Sequence, residues 1–162
     1  MITHLIRAFL IPLTLAAIAV AADTPEPSWG PADPDLTAAR ARIAAKDWPG
    51  AAQVMQKAVA RDPRNADYHN LLAYAVRNGA NPDMDVVFRH YQEALRLDPK
   101  HRGAHEYIGE AYLVLDNLAK AKEHLRTLDS LCMFSCSEYR DLKRAVEAYE
   151  KSGGKTKPTA SQ

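Results

Sequence analysis

Residues 93–131, EALRLDPKHRGAHEYIGEAYLVLDNLAKAKEHLRTLDSL, close one helix and carry the antiparallel pair that follows. The order Ala94, Asp98-Pro99, Gly109, Tyr112, Ala121 and Leu125 puts small residues where two helices must approach and large ones where they interlock. Pro99 marks a helix end, because the residue before a proline avoids the right-handed helical region. The stretch therefore sets a register that can be slid along the rest of the chain.

Sliding it finds a repeat. Ala58-Val-Ala-Arg-Asp62-Pro63 recurs as Ala94-Leu-Arg-Leu-Asp98-Pro99, a shift of 36 residues. Ala51 aligns with Val87 at the same shift, and Val87 with Ala121 at 34. A fixed period near 34 specifies a whole architecture of stacked helical hairpins. The two surplus residues are expected in the loop 78–83, NGANPD, where a helix must end in any case. Three pairs of helices follow, over 35–45 and 48–61, 66–78 and 84–97, and 102–115 and 118–131. Outside the first 22 residues only Val86-Val87 pairs β-branched residues, so strands are not expected.

These residues resemble the tetratricopeptide repeat family. The family's order of a large residue, Leu-Gly, Tyr, Ala, a large residue, Ala and Pro is met best in the third unit by Ile108-Gly109, Tyr112, Ala121 and Leu125. Leu128 stands there for the second alanine, and Cys132-Met133 for Asp-Pro. The second unit offers Leu72-Ala73, Tyr91, Ala94 and Pro99; the first offers only Ala39, Ala51, Ala58 and Pro63. The resemblance implies an all-α, helical-hairpin repeat solenoid of about three units that binds a protein or peptide and is not an enzyme.

Packing physics agrees with the resemblance. Gly109 and Ala121 present no bulk, which predicts a close approach of the two helices of the third unit, with Tyr112 and Leu125 filling the groove to its neighbour. A single hairpin cannot bury both faces, so end units need polar caps. The segment 137–149, SEYRDLKRAVEAY, has apolar residues at helical spacing on one side and charges on the other. It is expected to cap the third unit, with Ser137 as N-cap and Gly153-Gly154 as terminator. At the opposite end, Trp48, Val54 and Met55 are expected to lack a covering helix and to offer a surface for dimerisation.

The chain starts MITHLIRAFLIPLTLAAIAVAA, with Arg7, an apolar run from Ala8 to Val20 and small residues before Asp23, the layout of a secretory signal peptide over 1–22. The run is too short for a membrane span, which needs about 20 residues. Residues 23–34, DTPEPSWGPADP, read as a proline-rich linker, with Trp29 expected to tuck onto the first helix. The helical domain is expected over 35–152 and a disordered tail over 153–162. Export, to the periplasm of a bacterial-type cell, is the expected localisation, with no span left after cleavage. Without residues 1–22 the chain has as many basic as acidic residues, so it has no electrostatic footprint for nucleic acid.

Few residues suggest chemistry. Cys132 and Cys136, in LCMFSCSEY, are the two cysteines of the chain. Export favours a short disulfide at the turn before the capping helix, contributing about 2 kcal/mol in the chain-entropy model. It requires the helix to break near residues 133–135. The alternatives are a monovalent copper site of Cys132, Met133 and Cys136, or thiol exchange. His101 and His105 are four apart and could share a metal, but no third ligand is evident; His69 and His105, in equivalent places, read as helix-packing imidazoles. Glu106 and Glu110 read as a solvated or ligand-facing edge rather than an acid/base pair. No G-x-S-x-G, H-E-x-x-H or glycine-rich phosphate loop occurs, and no cofactor is expected.

In the family the first helix of each unit lines the concave face. Carried onto this chain, that places Arg40, Asn70, Tyr74, Arg77, Asn78, Glu106 and Glu110 toward a partner, together with Ile43 and Leu113. Such a mixture can hydrogen-bond an extended peptide. The carboxylate clamp of some chaperone-binding repeats needs several Lys or Arg at defined places, and Arg77 with Asn70 is too few for it. The expected function is a protein- or peptide-binding scaffold of the cell envelope, with metal or thiol-redox accessory work through the cysteines as the alternative.

Overall fold

The computed structural model describes residues 33–154. The expected leader, most of the linker, Trp29 and most of the tail lie outside them. Seven helices follow one another among the described residues: α1 (Pro34–Ala44), α2 (Trp48–Arg61), α3 (Ala66–Asn78), α4 (Met84–Leu97), α5 (Arg102–Val114), α6 (Leu118–Leu131) and α7 (Ser137–Lys151). Their boundaries come from local chemistry. Asp33, Asp47, Asn65, Asp83 and Asn117 each stand at an N-cap, and each side-chain oxygen accepts a backbone N–H of the first turn. His101 does the same for α5 through Nδ1, at 3.1 Å from the Ala104 N–H.

The second helices end alike. Asp62 and Asp98 leave the helix in extended conformation, and their carboxylates accept the N–H of Arg64 and Lys100 in a tight turn around the proline. Cys132 holds the equivalent place with similar backbone angles, and its bond to Cys136 closes that turn instead. The chain breaks over 132–136 as expected, with Ser135 at φ 45°. The N-cap of α7 is Cys136 rather than Ser137, and it caps without a side-chain hydrogen bond. The disulfide has already set the entry of that helix; Ser137 is its first residue and turns its hydroxyl to Glu138. Gly153 and Gly154 adopt φ 65° and 87° and return their N–H groups to Glu150 and Tyr149, a left-handed stop that suits glycine.

The turns within units follow the surplus-residue expectation. Three residues join α1 to α2 and α5 to α6, with Lys46 and Asp116 at φ 57° and 56° in matching places. The α3–α4 loop holds five, which absorbs the longer period of the second unit.

The apolar core is strung along the stack in three clusters. One joins α1, α2 and α3 through Leu36, Met55, Tyr68 and Leu72; a second joins α3, α4 and α5 through Ala73, Val87, Tyr91 and Ile108; a third joins α5, α6 and α7 through Leu113, Leu128, Leu142 and Val146. Met55 is fully buried and Trp48 lies edge-on to Tyr74 at 6.0 Å, so the amino-terminal end is better covered than Trp48, Val54 and Met55 suggested.

Gly109 corrects a second expectation. Its bare face turns to α7, not to α6: a methyl group there would lie 2.6 and 2.8 Å from the Leu142 δ-carbons. The capping helix uses that gap to pack closely on α5 through Leu142. Gly109→Ala is expected to lose about 1 kcal/mol of stability, overpacking of 1–3 kcal/mol being offset in part by better helix propensity. A urea midpoint equal to that of the parent would show that α7 is not seated there.

Histidine pairs tie first to second helices. His69 Nε2 lies 3.0 Å from the Pro63 carbonyl, and His105 Nε2 3.0 Å from that of Pro99. A carbonyl only accepts, so Nε2 carries the hydrogen and the other ring nitrogen of the neutral imidazole accepts. The donors are His90 at 2.8 Å and His124 at 2.9 Å, both through Nδ1. Burial, with His105 alongside, pushes His124 down to about 4, and burial with His69 lowers His90. His69 and His105 are thus packing residues as expected, while His101 reaches Asp67 instead of sharing a site with His105.

Candidate functional site

The first helices share one face of the stack, and together with α7 they border an open cleft of about 410 Å³. Arg40 comes from α1, Asp67, Asn70 and Leu71 from α3, Gly103, Glu106 and Tyr107 from α5 and Ser137, Glu138 and Asp141 from α7, with the cap residue His101 between. Gly103 keeps the wall thin beside Asn70: a methyl group at this glycine would lie 3.3 Å from Asn70 Nδ2.

Arg40, Asn70 and Glu106, of the seven residues named from the sequence, line this cleft. Arg40 is exposed at its rim, whereas Asn70 and Glu106 are each only 4% exposed. Asn70 Oδ1 is buried and has no hydrogen-bond partner among the described residues. Glu106 belongs to no ion pair among them either, and burial pushes its carboxyl up to about 8, with the charges of Glu110, Asp141 and Glu138 adding to the effect against Arg77. Of the solvated or ligand-facing edge expected at Glu106 and Glu110, the solvated form is overturned, since both are buried, whereas Glu106 does line the cleft.

Tyr74, Arg77 and Glu110 lie away from the cleft lining, in a buried polar network. Arg77 donates to Glu110 at 2.7 Å, with both side chains almost wholly buried. The guanidinium also sits 5.6 Å from the centre of the Tyr74 ring, which packs on Tyr107 at 4.5 Å. Arg77 Nε and the Tyr91 hydroxyl find no partner among the described residues. Asn78 donates to the Tyr74 carbonyl at the end of α3, and Ile43 and Leu113 turn into the apolar clusters.

Several cleft residues were not anticipated. Asp67 accepts from His101 Nε2 at 3.2 Å, and this bond lowers its pKa. Glu138 and Asp141 belong to the segment read only as a polar cap, yet α7 brings them to the cleft lining. The signal for them was positional: both lie near the start of the helix that packs on α5.

Cys132 and Cys136 are bonded, with sulfurs 2.05 Å apart, a form in which neither is a thiolate. Between them Met133 and Phe134 are 88% and 93% exposed. Among the described residues no three His, Cys, Asp or Glu side chains are grouped to hold a metal ion. None of the described helices is long and apolar enough to cross a membrane.

No protein-family model and no curated protein matches the chain. Solved structures do. The TPR2B domain of yeast Sti1, in a complex with pHsp70, superposes with a TM-score of 0.64 at 17% identity, covering 73% of this chain and 94% of that one. The type III secretion translocator chaperone SycD of Yersinia enterocolitica gives 0.63 at 16%, covering 74% and 83%. At that identity the likeness shows the fold alone, and the fold is that of the tetratricopeptide repeat.

Proposed function

With the tetratricopeptide-like fold as premise, we propose that this protein is a non-catalytic docking scaffold that holds an extended segment of another protein in the cleft between α1, α3, α5 and α7. The carrying observation is Asn70. Among the described residues its Oδ1 is an acceptor without a donor, on a residue that lines an open cleft. A buried acceptor left unmade costs about 1–3 kcal/mol, and the backbone N–H of an extended segment is a donor of the right kind. The two similar structures are of proteins named for a complex and for chaperoning, which agrees with this reading. The leader-like first 22 residues support export and work in the cell envelope of a bacterial-type cell.

A photo-crosslinking residue at position 40, on the cleft rim, is expected to capture a protein from envelope extract. The same residue at position 57, exposed on α2 and away from the cleft, serves as control. Asn70→Ala is expected to weaken the captured complex about fivefold, the worth of one hydrogen bond of roughly 1 kcal/mol. Equal capture at 57, or capture at 40 that is indifferent to Asn70→Ala, would overturn the reading.

A further inference from the structure

The cleft is electrically lopsided. Asp67, Glu106, Glu138 and Asp141 line it against one guanidinium, Arg40. Three of these acids have a basic partner: Asp67 has His101 at 3.2 Å, Glu138 has Arg102 at 3.7 Å, and Asp141 has Arg144. Glu106 has none among the described residues, because the nearby Arg77 is held by Glu110 at 2.7 Å. Glu106 and Asn70 are therefore two almost wholly buried residues on one cleft, and among the described residues Asn70 Oδ1 has no donor and Glu106 no basic partner.

We propose that the cleft selects its protein partner by a lysine or arginine side chain, whose N–H donors reach Glu106 and Asn70 while Glu138 and Asp141 draw the charge in at the mouth. The reading rests on the docking function above and names its ligand chemistry. It is opposite in sign to a clamp for carboxylates. A cation that arrives with several donors pairs with the ionised form of Glu106, where a neutral ligand would leave the acid protonated.

A proton accompanies the binding. In the free protein Glu106 keeps its proton up to about pH 8, since burial and the neighbouring Glu110, Asp141 and Glu138 outweigh Arg77; Tyr107 on the same helix adds no positive charge. A bound cation stabilises the ionised form, so the carboxyl releases its proton as the complex forms. Affinity then rises with pH through the range in which free Glu106 is still protonated.

The test is a displayed library of random nonapeptides panned against the full chain. Enriched sequences are expected to share a Lys or Arg. In the strongest of them, replacing an arginine by citrulline is expected to cost at least tenfold in affinity, and Glu106→Gln in the protein a similar factor. Affinity for the parent peptide is expected to rise several-fold from pH 6.5 to pH 8.5, with proton release seen calorimetrically in two buffers. Enriched peptides that lack Lys and Arg, yet lose binding on Asn70→Ala, would overturn the cationic selection and leave the docking reading standing. Enriched peptides indifferent to both Asn70→Ala and Glu106→Gln, or no enrichment at all, would overturn the two together.

Discussion

Arg77→Met is expected to destabilise the protein by about 3–5 kcal/mol, the loss typical of breaking a buried ion pair by removing one partner. The guanidinium donates to Glu110 at 2.7 Å where both side chains are nearly sealed from water, and it lies over the Tyr74 ring. Methionine fills much of the same space but leaves the Glu110 carboxyl without its cation. The pair is not thereby a net gain over an apolar core, because both charges were first taken from water. The double substitution Arg77→Met with Glu110→Leu is accordingly expected to recover most of the loss. Urea unfolding of the two variants at pH 7 checks this, and a single variant as stable as the parent would sink it.

Glu106→Gln is expected to move stability the other way. Burial raises its carboxyl from 4.5 to about 8, so the folded protein holds a proton that the unfolded chain has already released. The Glu106 contribution therefore falls as pH climbs from about 4.5 and is fully unfavourable above about 8. At about 1.4 kcal/mol per pH unit the ceiling is about 5 kcal/mol, and local relaxation leaves about 2 kcal/mol. Glutamine carries no such term. The gap in thermal midpoint between variant and parent should widen from pH 5 to pH 8 and then level. A constant gap would show that Glu106 does not titrate in this way. The variant that gains stability is also the one expected to lose a basic peptide, a trade expected where a site is kept unsatisfied for binding.

The repeat could be read from the sequence because its punctuation is local. Asp62-Pro63 and Asp98-Pro99 end helices by chemistry confined to a few residues, and the caps that start them are Asp and Asn. The structure's second to sixth helices begin where the register placed them, while α1 and α7 each begin one residue earlier than expected, at Pro34 and Ser137. What lies across a helix from its neighbour was harder to see. Gly109 looked like room for α6 and is room for α7, because the pairing of non-sequential helices is not encoded in one helix's periodicity. Glu106 and Glu110 read as a solvated or ligand-facing edge because charge on a helix is usually solvated, but both are buried, Glu110 against Arg77 of α3, and the helix that packs on α5 lies some thirty residues on. The second histidine of each pair escaped for a like reason. His90 and His124 stand 34 apart, a repeat of spacing as plain as that of His69 and His105, but pairing across the hairpin is visible only after folding.

The seat of α7 has a consequence for building with this protein. A helix that packs its apolar side on α5 and α6, yet turns Arg140, Lys143, Arg144 and Glu147 outward, leaves no sticky edge on which the next copy could stack. Copies joined head to tail would remain beads on a string, each melting independently, while a spliced hairpin of 34 residues placed ahead of residue 137 would lengthen a single rod.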